Sequence, residues 1–137
     1  MVEKTRLISV KGNKVLVLKK LTSKKSYTLA GGVKKKKETH IQSLIRETFE
    51  EIDVLLKEDE LTYLCSSYVK KDIDVKDTSK HYFVTRKEIR KVKNKEPEKF
   101  KAILWIEWEK VLGFLDKSDK KAIEFYFKEK KVKEVNK

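Results

Sequence analysis

Residues 31–54 read GGVKKKKETHIQSLIRETFEEIDV, and the charge of this stretch runs against the rest of the molecule. The chain carries a formal net charge of +13, yet Glu38, Glu47, Glu50, Glu51 and Asp53 face a single basic side chain, Arg46, between Glu38 and Val54. From His40 to Ile52 the apolar residues Ile41, Leu44, Ile45, Phe49 and Ile52 recur at a spacing that predicts a helix with one face for a core. On that helix Glu47, Glu50 and Glu51 stand at i, i+3 and i+4, so they share another face, with Glu47 and Glu51 about 6 Å apart along the axis. Three like charges so placed destabilise a helix unless a cation neutralises them. A merely solvated acidic face in this lysine-rich chain would carry lysines at i+4, and none stands between Glu38 and Val54. Hard carboxylate oxygens with room for water and phosphate suit Mg²⁺.

Working outward, Tyr27-Thr28-Leu29 reads as a short strand running into Gly31-Gly32, where paired glycines let the backbone come close to a ligand. Residues 5–20 read as two strands of one hairpin, with Val15-Leu16-Val17-Leu18 as a buried run and Lys11-Gly12-Asn13-Lys14 as the turn. Further strands are predicted over residues 62–70 and 81–90, separated by the polar stretch 71–80. A loop around Pro97 then leads to an apolar strand over 102–108. Asp116 or Ser118 is placed to cap a last helix carrying Ala122, Ile123, Tyr126 and Phe127. The basic tail over residues 128–137 is expected to fray. This order of elements predicts an α/β domain spanning residues 1–137, a mixed sheet with helices against it.

The 137 residues suffice for one buried core. A single cysteine, Cys65, cannot form an internal disulfide, and the N-terminus lacks a secretory leader, so a cytoplasmic location is expected. No apolar run approaches the roughly 20 residues that span a bilayer, so no membrane partner is expected. The positive charge invites a nucleic-acid reading. Only four of the basic residues are arginine, however, and the lysines are spread from Lys4 to Lys137. That distribution favours a phosphate-friendly surface over a dedicated nucleic-acid patch.

From Gly32 the segment runs glycine, five residues, Glu38, seven residues, Arg46-Glu47, Thr48, Phe49, Glu50-Glu51, Ile52, Asp53, Val54. It closely resembles the Nudix box of the Nudix hydrolases. The resemblance implies a Nudix fold, an α/β/α sandwich with a central mixed sheet, and Mg²⁺-dependent hydrolysis of a nucleoside diphosphate linked to a further group, with Mn²⁺ as a substitute ion. It implies that Glu50, Glu51 and the backbone carbonyl of Gly31 are metal ligands. Glu47 becomes a ligand or the base that activates water, with Arg46 holding it and Glu38 bracing the loop to the helix. The one departure is Asp53, where the family usually has glycine. A left-handed residue is wanted there, and Asp tolerates that conformation better than most.

The segment from Asn94 to Glu109, with Glu96-Pro97-Glu98-Lys99 and Trp105-Ile106-Glu107-Trp108-Glu109, resembles the small MutT-like nucleoside triphosphate pyrophosphohydrolases. In that branch an acidic residue before the tryptophan strand can add a metal ligand, which points to Glu98, with Glu96 second. Lys20 falls where such proteins carry a basic residue able to hold a phosphate, and Gly32 is placed to let substrate approach. Tyr82, Phe83 and Trp105 could stack on a base, although an aromatic in an apolar strand is more often core. Lys34 to Lys37 could attract a polyphosphate or an RNA 5′ end. His40, His81 and Cys65 receive no role, for want of metal-ligand spacing or a nucleophile's partner. The leading expectation is cleavage of a nucleoside triphosphate into monophosphate and pyrophosphate, with a homodimer expected ahead of any larger oligomer. An RNA 5′ pyrophosphohydrolase and a non-catalytic Nudix-fold binding or regulatory module are the alternatives.

Overall fold

Val15, Leu16, Val17 and Leu18 are all buried, although consecutive side chains of a strand point to opposite faces, so this run must be covered on both sides. The computed structural model, which describes residues 1–21, 26–70 and 76–135, shows what covers it. The elements are β1 (Val2–Ile8), β2 (Val10–Lys11), β3 (Lys14–Lys20), β4 (Tyr27–Thr28), β5 (Gly31–Val33), α1 (His40–Ile52), β6 (Leu61–Val69), β7 (Thr78–Thr85), β8 (Phe100–Glu107), α2 (Trp108–Val111) and α3 (Lys117–Val135).

The first sheet has the order β5-β1-β7-β6 and is mixed, because β1 pairs antiparallel with β5 but parallel with β7. In the second, β3 pairs antiparallel with β8 along its length, with β2 at its start and with β4 at its end. Alternation then sorts neighbouring residues into two cores. Leu7, Leu16, Leu18 and Phe83 join Leu44 and Ile52 of α1, while Ile8, Val15, Val17 and Tyr82 join Val111, Leu115 and the α3 residues Ala122, Ile123 and Phe127. The result is an α/β fold in which a central mixed sheet carries helices on both sides. Each fully buried aliphatic side chain contributes about 1.5–3 kcal/mol. No helix among the described residues is long and apolar enough to cross a membrane.

The expected hairpin over residues 5–20 is corrected. The turn forms, with Gly12 at φ 60°, but it joins only the two-residue β2 to β3. β1 crosses to the other sheet, where pairing with β7 buries Leu7 and Ile8 on opposite faces. Ser9 lies at the crossing, its carbonyl accepting the Leu16 amide at 3.0 Å. The strand expected over 81–90 runs instead over Thr78–Thr85, and residues 71–75 of the expected polar connection lie outside the described residues. The last helix is capped by Asp116, whose Oδ1 accepts the Asp119 amide at 2.8 Å. It continues to Val135, past the Lys128 at which fraying is expected, through a sequence of strong helix formers.

Both ends of α1 are set by local chemistry. Thr39 Oγ1 accepts the Gln42 amide at 3.1 Å while Gln42 Oε1 accepts the Thr39 amide at 3.0 Å, a reciprocal capping box. At the far end Asp53 takes φ 60°, ψ 38°, the left-handed conformation expected of it. Beyond it, the amides of Lys93 and Lys95 donate to the carbonyls of Ile52 and Glu51 at 3.0 and 3.1 Å. Those two bonds fasten the loop before β8 to the end of the acidic helix. Phe49 does not join the core as its spacing predicts. It is 43% exposed and lies beneath the Lys95 ammonium, 4.1 Å from the ring centre.

Candidate metal centre and active site

Arg46 organises the acidic face of α1. Its Nε and Nη2 bind the two oxygens of Glu38 at 2.6 and 2.9 Å, Nη2 also reaches the Val33 carbonyl at 3.2 Å, and Nη1 bridges Glu47 at 2.9 Å and Glu50 at 3.3 Å. A guanidinium has five N–H donors, so this side chain is fully committed. The Arg46 fork holds the Glu38 carboxyl at about 2, well below the usual carboxylate range, with help from the Lys35 amide. Glu38 is thereby a permanent anion tying the loop to the helix.

The two glycines admit the carboxylates. A Cβ on Gly32 would fall 2.4 Å from the carboxyl carbon of Glu47, so only a bare backbone lets Glu47 lie against β5. Gly31 has φ 140°, and a Cβ there would overlap the Thr5 carbonyl oxygen at 1.9 Å. Its amide donates to Glu51 Oε1 at 2.7 Å. Glu51 is buried on the inner side of α1. Burial chiefly, then the charges of Glu47 and Glu96, push its carboxyl up to about 8, against the Gly31 amide and Arg6.

Glu38, Arg46, Glu47, Glu50, Glu51, Gly31 and Gly32 are therefore gathered at one place. Among the described residues the box carboxylates do not close into a triad within 4.8 Å. Arg46 binds Glu47 and Glu50, while the Gly31 amide holds Glu51. The donor set fits a divalent ion of the Mg²⁺ kind: oxygen only, anionic, partly open to solvent, with one buried carboxyl short of positive charge.

The remaining expectations divide. Glu98 is exposed and shares no hydrogen bond or ion pair with these carboxylates among the described residues, whereas Glu96 is half-buried and acts on Glu51. Of the two, the loop fastened to α1 delivers Glu96. Tyr82 is corrected from a base-stacking position to the core: it is 1% exposed, and its hydroxyl donates to Asp119 Oδ1 at 2.7 Å. Trp105 packs against the α1-side core with the Lys11 ammonium 4.4 Å from its ring centre. Lys20 is half-buried at the end of β3.

Two basic groups join the site without standing out in the sequence. Lys99 pairs with Glu96 at 2.9 Å, and that bond first, then the fields of Glu96, Glu51 and Glu47, raise the lysine. Arg6 acts on Glu51 from β1 and on Lys4 from the same strand. Burial, then Arg6, Lys80 and Lys20, push Lys4 down against the pull of Asp116. Lys4, Lys80, Lys117 and Asp116 line a recess of about 340 Å³. The scarcity of arginine was the available signal for Arg6. Lys99 belongs to the Glu96-Pro97-Glu98-Lys99 segment. His40 and His81, given no role from their spacing, are brought together by the fold, with ring centres 3.9 Å apart.

The NUDIX domain family model matches residues 5–127. No curated protein matches the sequence. Among solved structures, a MutT protein from Methanosarcina mazei Go1 is 18% identical with a TM-score of 0.72, covering 95% of each chain. The E. coli dihydroneopterin triphosphate pyrophosphohydrolase is 17% identical with a TM-score of 0.72, covering 89% of this chain and 92% of its own. A C. elegans Ap4A hydrolase is 19% identical with a TM-score of 0.70, covering 92% and 95%.

Proposed function

The chain belongs to the NUDIX domain family and is a hydrolase of pyrophosphate bonds, and on that premise we propose that it splits nucleoside triphosphates into monophosphate and pyrophosphate with Mg²⁺. The observation that carries this reading is the buried, charge-starved Glu51, under the fields of Glu47, Glu96 and Arg6, with Lys99 paired to Glu96. Anionic oxygens next to cationic side chains suit a polyphosphate whose charge is shared between a metal and the protein. The dihydroneopterin triphosphate and Ap4A named for two of the similar structures are both polyphosphates.

In this reading Glu50, Glu51 and the Gly31 carbonyl hold the ion, with Glu96 as the added carboxylate in preference to Glu98, and Glu47 is the base. Bound there, Mg²⁺ supplies neutralisation of phosphate oxygens and a lowered pKa for water. Glu47, pinned on one oxygen by Arg46 and seated against Gly32, has its second oxygen to take a proton from the attacking water. Glu38 fixes Arg46 and so fixes Glu47. Lys99 and Arg6 bind phosphate oxygens, with Lys20 as the further basic residue placed to hold one.

The test is a panel of nucleoside triphosphates, diphosphate conjugates and triphosphorylated RNA incubated with Mg²⁺, with products separated by ion exchange. Monophosphate and pyrophosphate from one or more free triphosphates support the reading. Turnover confined to RNA, or to a diphosphate conjugate, would replace the substrate while keeping the chemistry.

A further inference from the structure

Outside the box, three residues far apart in the chain converge: Glu3 on β1, His40 at the first residue of α1, and His81 on β7. One donor atom from each lies within 4.8 Å of the other two. His40 Nε2 is 3.1 Å from Glu3 Oε1, and His81 Nε2 is 4.0 Å from that same oxygen. The ring centres stand 3.9 Å apart with their planes tilted by 35°, and the two distances bring both Nε2 atoms to one carboxylate oxygen. The other oxygen of Glu3 is engaged by Lys34, with Nζ at 3.7 Å. That contact orients the carboxylate and leaves Oε1 for the cluster, as groups behind metal ligands do. Ser79 Oγ stands 3.4 Å from His81 Nε2.

We propose that Glu3, His40 and His81 form a second divalent-metal site, separate from the box carboxylates, that takes a borderline transition ion of the Zn²⁺ type with three protein ligands and one open position. Two imidazoles and a carboxylate select such ions, whereas the all-oxygen set on α1 selects Mg²⁺. Donors around a tetrahedral ion with bonds of 2.0–2.1 Å stand about 3.3 Å apart, so separations that all lie within 4.8 Å need to close by no more than about 1.5 Å. The three side chains are 37%, 34% and 19% exposed, which gives an ion a way in. β1 and β7 are neighbours in the first sheet, with Thr5 opposite His81. An ion here therefore ties the start of α1 to the sheet. The competing occupant is a proton shared between His40 and Glu3.

The test uses the full chain, stripped of metal and held in millimolar Mg²⁺ so that the box prefers that ion. Zn²⁺ is titrated by calorimetry, and Co²⁺ by its visible absorption. The expected result is one equivalent bound in the wild type and in Glu51→Gln, with affinity falling on the order of tenfold or more in His40→Ala, His81→Ala and Glu3→Gln. Zn²⁺ should raise the melting midpoint of the wild type and of Glu51→Gln but not of those three variants. The chain has two histidines, so the imidazole NMR signals of the unaltered protein report directly, and both should shift with Zn²⁺. Unmoved histidine signals, equal affinity in the histidine variants, or binding lost in Glu51→Gln but kept in His40→Ala would overturn the proposal.

Discussion

At Glu51 stability and activity pull in opposite directions. Its carboxyl is 6% exposed and pushed from 4.5 up to about 8, chiefly by burial. At about 1.4 kcal/mol for each pH unit, keeping the ion above pH 8 costs the metal-free fold up to about 5 kcal/mol. Local rearrangement and water entering around the ionised group lower this cost to about 2 kcal/mol. Glu51→Gln keeps an acceptor for the Gly31 amide and removes the charge. The sign follows from proton binding. Between 4.5 and about 8 the folded carboxyl retains a proton that the unfolded chain has released, so wild-type stability falls as pH rises through that window. The variant lacks this slope. Urea denaturation in chelator should show the two proteins equal near pH 4.5, and the variant ahead by about 2 kcal/mol at pH 8.5. Saturating Mg²⁺ should restore the wild type and leave the variant unmoved. A variant no more stable than the wild type at pH 8.5 in chelator would refute the reasoning.

Glu47→Gln should lower kcat by on the order of 10²-fold while the far-ultraviolet spectrum is unchanged, since the carboxylate against Gly32 is removed from where water is activated. A loss of only a few-fold in steady-state kinetics would move the base elsewhere. Asp53→Gly should raise stability by about 0.5–1 kcal/mol in denaturant titrations, because the residue sits at φ 60° and gives up only a 3.7 Å surface pair with Lys95. Replacing Lys35, Lys36 and Lys37 together by Gln should leave kcat/KM for a nucleoside triphosphate within about threefold, because exposed charges are each worth ~1 kcal/mol or less and are screened by salt. A selective loss on triphosphorylated RNA in the same assay would reverse the order of the two substrate readings. Lys34 is kept because it holds Glu3.

What was legible in the sequence was what local chemistry decides. The acidic face of α1, its apolar face and the left-handed Asp53 follow from spacing within one helix, and all three are present. The unbroken apolar run of β3 announced a strand covered on both sides. Long-range pairing was hidden. Nothing in residues 5–20 shows that β1 leaves its hairpin for the parallel partner β7, because that choice is made by residues 76 positions later. Phe49 has the right period for the core and lies at its rim, under Lys95 from a loop whose course the sequence does not state. Tyr82 has the composition of a stacking platform, and its buried hydroxyl is instead matched by Asp119 from α3. The meeting of Glu3, His40 and His81 and the delivery of Glu96 and Lys99 to Glu51 are products of the same folded topology. No spacing rule within one segment could have found them.

The central claim is that the carboxylates of α1 hold the ion on which cleavage of a phosphoric anhydride depends. The most direct measurement is the turnover of the preferred nucleoside triphosphate by the full chain, followed as pyrophosphate release, first in excess chelator and then with Mg²⁺ returned in stoichiometric excess. The expected result is no detectable release in chelator and full recovery with Mg²⁺. Undiminished turnover in excess chelator would contradict it.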